Sequence, residues 1–255
     1  MEIGLKIWST NTLSFKKINE FYQKKLIDYV ELYVVPESFD RSKLEILRGI
    51  PVIFHAPHSK HGFNLNFMDK AFDDALGTLL RFSDFFEEKR TIIHPSFDKK
   101  DPDTSDQTIH GLKIFRKNGF DIIPENMPSV DSDGNLYYGS TYAEMKNIIA
   151  QLDCKFCLDI GHSICAANHQ KLDPLLMIER MLSLKPYILH LSDGMFNSVV
   201  DRHLSYGEGD FPMGKIFEKI PSSGFLSMET PKKDDFANLN EDYKNIIRLK
   251  SYLAK

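Results

Sequence analysis

Along this chain, one apolar run after another closes on a histidine or an acid. PVIFH ends in His55, TIIH in His94, DIIPE in Glu125, KFCLD in Asp159, PYILH in His190 and FLSME in Glu229. Three more residues of the same kind follow: His162, three positions beyond Asp159, and Asp201 with His203 in the stretch DRHLSYGEGD. A lone histidine after an apolar run is usually a hydrogen-bonded core or rim residue. Convergence changes that reading, because buried charges are costly unless paired or coordinated, and several acids facing one point repel each other without a cation. Mixed imidazole and carboxylate donors suit zinc, manganese or iron, whereas an all-oxygen set would point to magnesium or calcium. The expected cofactor is a divalent metal, zinc first and manganese second. The spacing in Asp201-x-His203 turns both side chains to one side of an extended segment. With His162 they would make a three-ligand set, whose open position lowers the pKa of a bound water to about 7.

Those residues need a frame that brings strand ends together. The runs EIGLKIW, DYVELYVV, PVIFHAP, RTIIHPS, FDIIPEN, KFCLDIGH, PYILHLSD and GFLSMET read as eight strands. Between them FKKINEFYQKKL, MDKAFDDALGTLLRFSDFFEEK, TIHGLKIFRKNG, TYAEMKNIIAQL, LDPLLMIERMLSLK and PMGKIFEKI carry a helical period; SKLEILRG is a shorter candidate and DYKNIIRLKSYL closes the chain. Strand and helix alternating in this way imply right-handed βα units, and eight of them in about 250 residues match a closed α/β barrel, the (β/α)8 TIM barrel. Residues 1–255 are expected to form one such domain; an open doubly wound sheet is the alternative that periodicity leaves standing. In a barrel, the candidate ligands fall at the C-terminal strand ends, where active sites are built.

The 255 residues are 42% hydrophobic and 27% charged, the balance of an ordinary globule. A net charge of -4 speaks against nucleic-acid binding by bulk electrostatics, although a local basic groove stays open. The three cysteines include one Cys154-x-x-Cys157 pair without the second pair that zinc would need, so structural thiols in a reducing compartment are expected. No apolar run approaches the roughly 18 residues of a membrane span. The expectation is a cytoplasmic protein, off the membrane and with no obligatory protein partner.

Candidate substrate contacts are His58, Lys60, Asn126 and Arg202. Asn126 could meet substrate or simply orient Glu125, and Lys60, with His61, could meet a phosphate from a loop that is otherwise solvated. Gly207-Glu208-Gly209 lacks the strand-to-helix setting of a nucleotide loop and reads as a turn. Trp8, Phe63, Tyr137, Tyr138, Tyr206 and Phe211 could wall a pocket, though most barrel aromatics are packing.

Taken in order, FHAPH, IIHPS, PENMP, CLDIGH, ILHLSD, DRHLSYGEG and METP resemble the motifs of the xylose-isomerase-like barrel superfamily, and within it those of the endonuclease IV family of type 2 apurinic/apyrimidinic endonucleases. The resemblance implies a three-zinc site. His55 and His94 would hold one metal; Glu125 would bridge it to a second, also held by Asp159, His190 and Glu229; His162, Asp201 and His203 would hold the third. It implies hydrolysis of a phosphodiester at abasic sites in DNA by metal-bound hydroxide, with Glu125 orienting the water. The family's DNA-contacting segments are not matched: GLKIWSTN and VVPESFD stand in their places, and His58 replaces the wedge tyrosine. Sugar and sugar-phosphate isomerases and epimerases of the same superfamily use one divalent metal on the Glu125, Asp159, His190, Glu229 set, with Glu125 and Glu229 as acid/base groups. The implied substrate is thus abasic DNA or a small sugar or sugar phosphate, and a metal-bearing binding protein is a third reading.

Overall fold

The computed structural model describes residues 1–97, 103–232 and 239–254. Eight parallel strands make one sheet: β1 (Glu2–Trp8), β2 (Tyr29–Tyr33), β3 (Val52–His55), β4 (Arg90–Ile93), β5 (Asp121–Pro124), β6 (Cys157–Asp159), β7 (Ile188–Leu191) and β8 (Phe225–Met228). The order runs β5-β4-β3-β2-β1-β8-β7-β6, and the sheet curls until its two edge strands meet in a single parallel bridge, Glu125 to Cys157. The chain is a (β/α)8 TIM barrel, and each of the eight apolar runs supplies its strand.

Period-two alternation sorts the strand residues between two cores. Tyr29, Ile53, Ile92, Ile123, Cys157 and Ile188 form a separate apolar cluster, the barrel floor. Their neighbours Val30, Leu32, Phe54, Ile93, Ile122, Leu158, Leu189 and Leu226 pack instead with the helices in the larger core. Gly4 leaves the space that the Tyr29 ring fills, since a Cβ there would lie 2.2 to 2.7 Å from ring carbons. The Tyr29 hydroxyl meets the Ser227 hydroxyl across the floor at 2.8 Å. Gly4→Ala is therefore expected to destabilise the fold by about 3 kcal/mol, the upper range for overpacking. Urea unfolding checks this, and an unchanged midpoint would mean that the floor has slack.

The outer layer contains α1 (Phe15–Gln23), the short α2 (Arg41–Leu44), α3 (Lys70–Phe86), α4 (Thr104–Lys117), α5 (Tyr142–Leu152), α6 (Ile160–His169), α7 (Pro174–Leu182), α8 (Met213–Phe217) and α9 (Asn240–Leu253). Their starts are fixed locally: the Asp69 side chain accepts from Phe72 N, Thr141 and Glu144 make a reciprocal capping box, and Asp173 precedes Pro174 at the first turn of α7. Helix α6 is the element the periodicity does not announce. It starts directly from β6 with Asp159 as its N-cap, and Ile160 to Ala167 are all buried, so no polar face marks it. No helix among the described residues is long and apolar enough to cross a membrane.

Candidate metal centre

One step above the floor, two residues further along each strand, the inward positions turn polar. Glu31, His55, Glu125, Asp159 and His190 occupy this layer at no more than 1% exposure, with Glu229 just beyond β8 at 7%. Glu125 is its hub. Its Oε2 lies 3.2 Å from Nε2 of both His55 and His94, while its Oε1 lies 3.3 Å from Nδ1 of His190. The two oxygens thus face different imidazoles, as a bridging carboxylate must. Donor atoms of His55, His94 and Glu125 lie within 4.8 Å of one another, and so do those of Glu125, Asp159, His190 and Glu229.

Local contacts orient the rings. Nδ1 of His55 donates to the Ala56 carbonyl at 2.7 Å, which leaves Nε2 as the donor atom for a metal. Nδ1 of His162 donates to the Asn126 carbonyl at 2.8 Å and leaves Nε2 facing Asp201 Oδ2 at 3.4 Å. Asp159 Oδ1 accepts from the His162 amide at 2.6 Å as the helix cap, so Oδ2 is free to point into the cluster.

His162, Asp201 and His203 form the third set, again with donor atoms within 4.8 Å. Asp201 Oδ2 lies 2.9 Å from Nε2 of His203, whose backbone sits in the left-handed region at φ +45. Such a conformation costs a non-glycine residue on the order of 1 kcal/mol and needs an anchor. The anchor is Asp193, which neither composition nor spacing singles out. Its buried carboxylate accepts from the amides of Gly194, Gly207, Gly209 and Phe211 at 2.7 to 3.2 Å, and its backbone pairs with Leu204. A Cβ on Gly209 would come within 2.3 Å of the Gly194 carbonyl and 2.5 Å of Asp193, so the second glycine of GEG permits that approach. Asp193→Ala is expected to cost about 3 kcal/mol, the scale of hydrogen bonds to a charged acceptor, and to weaken metal binding at the third set. Thermal unfolding and metal content check it; unchanged values would show that the loop holds without Asp193.

Two members of the site come from the strands that carry no predicted ligand. Glu31 on β2 is fully buried and lies 2.8 Å from Nε2 of His190. Burial opposes its ionisation, but the charges of His190 and Lys6 outweigh that and hold it down to about 2. Lys6 on β1 pairs with Glu229 and lies 3.5 Å from Glu31. The signal for both is present in the alternation: Glu31 falls between Tyr29 and Tyr33 on the inward face of YVELY, and Lys6 between Gly4 and Trp8.

Five carboxylates, Glu31, Glu125, Asp159, Asp201 and Glu229, thus converge with one permanent cation, Lys6. The histidines respond as such a field requires. Burial would hold His162 neutral, yet Asp159, Asp201 and Glu125 raise it to about 10. His55 instead is lowered to about 4, mainly by burial and then by Lys6. Asp159 Oδ2, Asp201 Oδ2, His94 Nε2 and His203 Nδ1 are buried without an aligned hydrogen-bond partner among the described residues. Such atoms ordinarily find a partner, and divalent metals would supply one. The residues fit that cofactor.

The predicted substrate contacts fare differently. His58 and Lys60 line a cavity of about 320 Å³ that opens above Glu229 and His203. The His58 ring stacks on His94 at 5.6 Å, 11° from parallel. Asn126 is buried and its amide is committed: Nδ2 donates to the Asp159 carbonyl and Ser163 hydroxyl, and Oδ1 accepts from the Asp159 amide at 2.7 Å. These bonds tie the end of β5 to β6. Arg202 is exposed and lies outside the cavity lining. Of the candidate aromatics, Phe63, Tyr138, Tyr206 and Phe211 are buried packing, Tyr137 is half-buried away from the cavity, and Trp8 lines it. Cys154, Cys157 and Cys165 are free thiols; burial pushes Cys154 up to about 12 and the other two higher still.

No curated protein matches the sequence. Among solved structures, a D-tagatose 3-epimerase-like protein superposes with a TM-score of 0.73 at 19% identity, covering 100% of this chain and 97% of that one. Endonuclease IV from Thermus thermophilus gives 0.71 at 17% identity, covering 100% and 99%. An L-ribulose 3-epimerase gives 0.65 at 14%, covering 99% and 96%. These likenesses speak to the fold alone. The family model described as xylose isomerase-like TIM barrel matches residues 37–251, and the chain belongs to that family.

Proposed function

We propose that this protein is a metal-dependent hydrolase of phosphate esters that works with up to three divalent ions, zinc in the first instance. The observation that carries the reading is the His162, Asp201, His203 set beside the Glu125 hub. Charge supports it. With neutral histidines, the five carboxylates and Lys6 leave four negative charges; three divalent ions would turn this into an excess of two positive charges, suited to a hydroxide and a phosphate anion. One ion would leave the site negative and repel such a substrate.

Metals in these sets would supply an acidified water and positive charge on the phosphate oxygens. The chain's own groups do the rest. Glu125 would hold and orient such a water, the Glu31 carboxylate places its charge 2.8 Å from His190 Nε2, and Lys6 holds one oxygen of Glu229 so that the other turns toward His203. Glu229 is then placed to take or return a proton at the leaving oxygen.

The test is elemental analysis of protein prepared with zinc and with manganese, coupled to cleavage of an abasic-site duplex and of bis(p-nitrophenyl) phosphate. Near three metals per chain with cleavage of either substrate is the expected outcome. One metal per chain and no cleavage after zinc loading would sink the reading.

A second reading is favoured by Glu125 and Glu229, which approach the same Nδ1 of His190 at 3.3 and 3.2 Å within one donor set. Two carboxylates on either side of one metal are the equipment of a sugar isomerase or epimerase, which moves a proton next to a carbonyl. On that reading His203→Ala leaves turnover intact, and ketoses incubated in heavy water gain deuterium next to the carbonyl.

A further inference from the structure

Donor atoms of Glu31, His55 and Glu229 also lie within 4.8 Å of one another, a set that the strand-end motifs leave out. His55 and Glu229 serve other sets as well, so Glu31 is the member that belongs to this one alone. Glu31 is fully buried; its Oε2 lies 2.8 Å from His190 Nε2 and its Oε1 faces Lys6. Neither oxygen has an aligned hydrogen-bond partner among the described residues. Buried carboxylate oxygens ordinarily find such a partner or a cation. The set therefore has both the donors and the unmet demand of a cation site.

What stands beside it is an ammonium. Strand β1 lies between β2 and β8, the two strands that bring in Glu31 and Glu229. Lys6 is the ladder partner of Glu31, and Leu5 is that of Met228, the residue before Glu229. The Lys6 Nζ bonds to Glu229 Oε1 and lies 3.5 Å from Glu31 Oε1, with most of the side chain shielded from solvent. A lysine is a compact point charge on a flexible stem, and its three N–H groups donate but cannot ligate a metal. It can thus answer these two acids while leaving a divalent ion no room between them.

We infer that Lys6 is a built-in cation that fills the Glu31, His55, Glu229 set and closes it to divalent ions, capping the number that the barrel mouth holds. The inference concerns the ion count alone. It applies whether the other sets carry one ion or three, and so does not rest on the hydrolase reading.

The experiment brings wild type, Lys6→Met, Glu31→Gln and the variant with both changes to dialysis equilibrium against the same buffered zinc. Bound zinc is counted by elemental analysis, with circular dichroism as the check on folding. Lys6→Met keeps an unbranched stem and loses the charge, which leaves two acids uncompensated; it is expected to hold about one zinc ion per chain more than wild type. Glu31→Gln should match wild type, because its set already holds Lys6. The double variant should match wild type too, since the ligand that belongs to this set alone is gone. An unchanged count in folded Lys6→Met would overturn the inference, as would an added ion that persists in the double variant and therefore lies elsewhere. Loss of an ion in Glu31→Gln would overturn it as well, because a divalent ion rather than Lys6 would then occupy the set. That arm needs only a change of similar shape at Glu31, and it decides the matter if Lys6→Met does not fold. The wild-type count bears on the hydrolase reading instead. One ion in wild type with a second in Lys6→Met would sink that reading and leave this inference standing, whereas three ions in both proteins would do the reverse.

Discussion

Chelating metal from zinc-loaded protein is expected to lower the melting temperature by roughly 8–16 °C for each site emptied. The figure follows from two steps. A ligand at a thousandfold excess over its Kd stabilises the folded state by about 4 kcal/mol, and each kcal/mol moves the melting temperature of a large domain by about 2–4 °C. The physical cause lies in the layer above the barrel floor, where Glu31, Glu125, Asp159 and Glu229 are all buried and only Lys6 is a permanent cation beside them. Without metal, protons on His162 and His190 must take up the balance, since against the pull of burial His162 is raised by Asp159, Asp201 and Glu125, and His190 by Cys157, Glu31 and Glu125. Differential scanning calorimetry before and after chelation, with zinc added back, measures the effect. Identical transitions would mean that protonated histidines satisfy the layer and that no metal belongs there.

Glu125→Gln is expected to have the largest effect of any single substitution on turnover, a loss of about 10³-fold or more if Glu125 both holds metal and orients the attacking water. Its two oxygens serve the His55–His94 pair and the His190 side separately, so the neutral amide should empty two sets at once. His203→Ala, by contrast, touches only the third set and should remove one ion. Elemental analysis of the two variants alongside wild type separates these outcomes, with circular dichroism as the check that the barrel is intact. Full metal content in the glutamine variant would show that Glu125 does not bridge.

Much of this arrangement can be read from period-two alternation. His55, Glu125, Asp159 and His190 each stand two residues after Ile53, Ile123, Cys157 and Ile188 of the floor, so a strand end with an apolar residue two before it is a sound guide to the inward face. The same rule applied to β1 and β2 brings in Lys6 and Glu31. They are hard to see because a lysine or glutamate inside a strand resembles a solvent-facing residue until the strand is known to be buried on both sides, as every strand of a parallel barrel is. Helix α6 is hidden for the converse reason: buried almost all round, IGHSICAANH has no polar stripe to give a helical period. Asp193 is beyond reach, because its four partners are backbone amides and no side-chain spacing records them. Asn126 is legible as a neighbour of Glu125, but its partners on β6 exist only once the sheet has closed.

Closure of the sheet has a mechanical consequence. Seven of the eight strand junctions are ladders, while the eighth rests on the bridge of Glu125 to Cys157 and on Asn126, whose amide gives and takes the bonds that a neighbouring backbone would supply to Asp159. The seam of the barrel therefore runs through the site, with Glu125 on one edge and Asp159 on the other. An ion shared by those two carboxylates would act as a clasp, and hydrogen exchange at the amides of Asn126 and Asp159 should slow when it binds. Loading the site and locking the cylinder would then be one event, and this is the place where the barrel would first come undone.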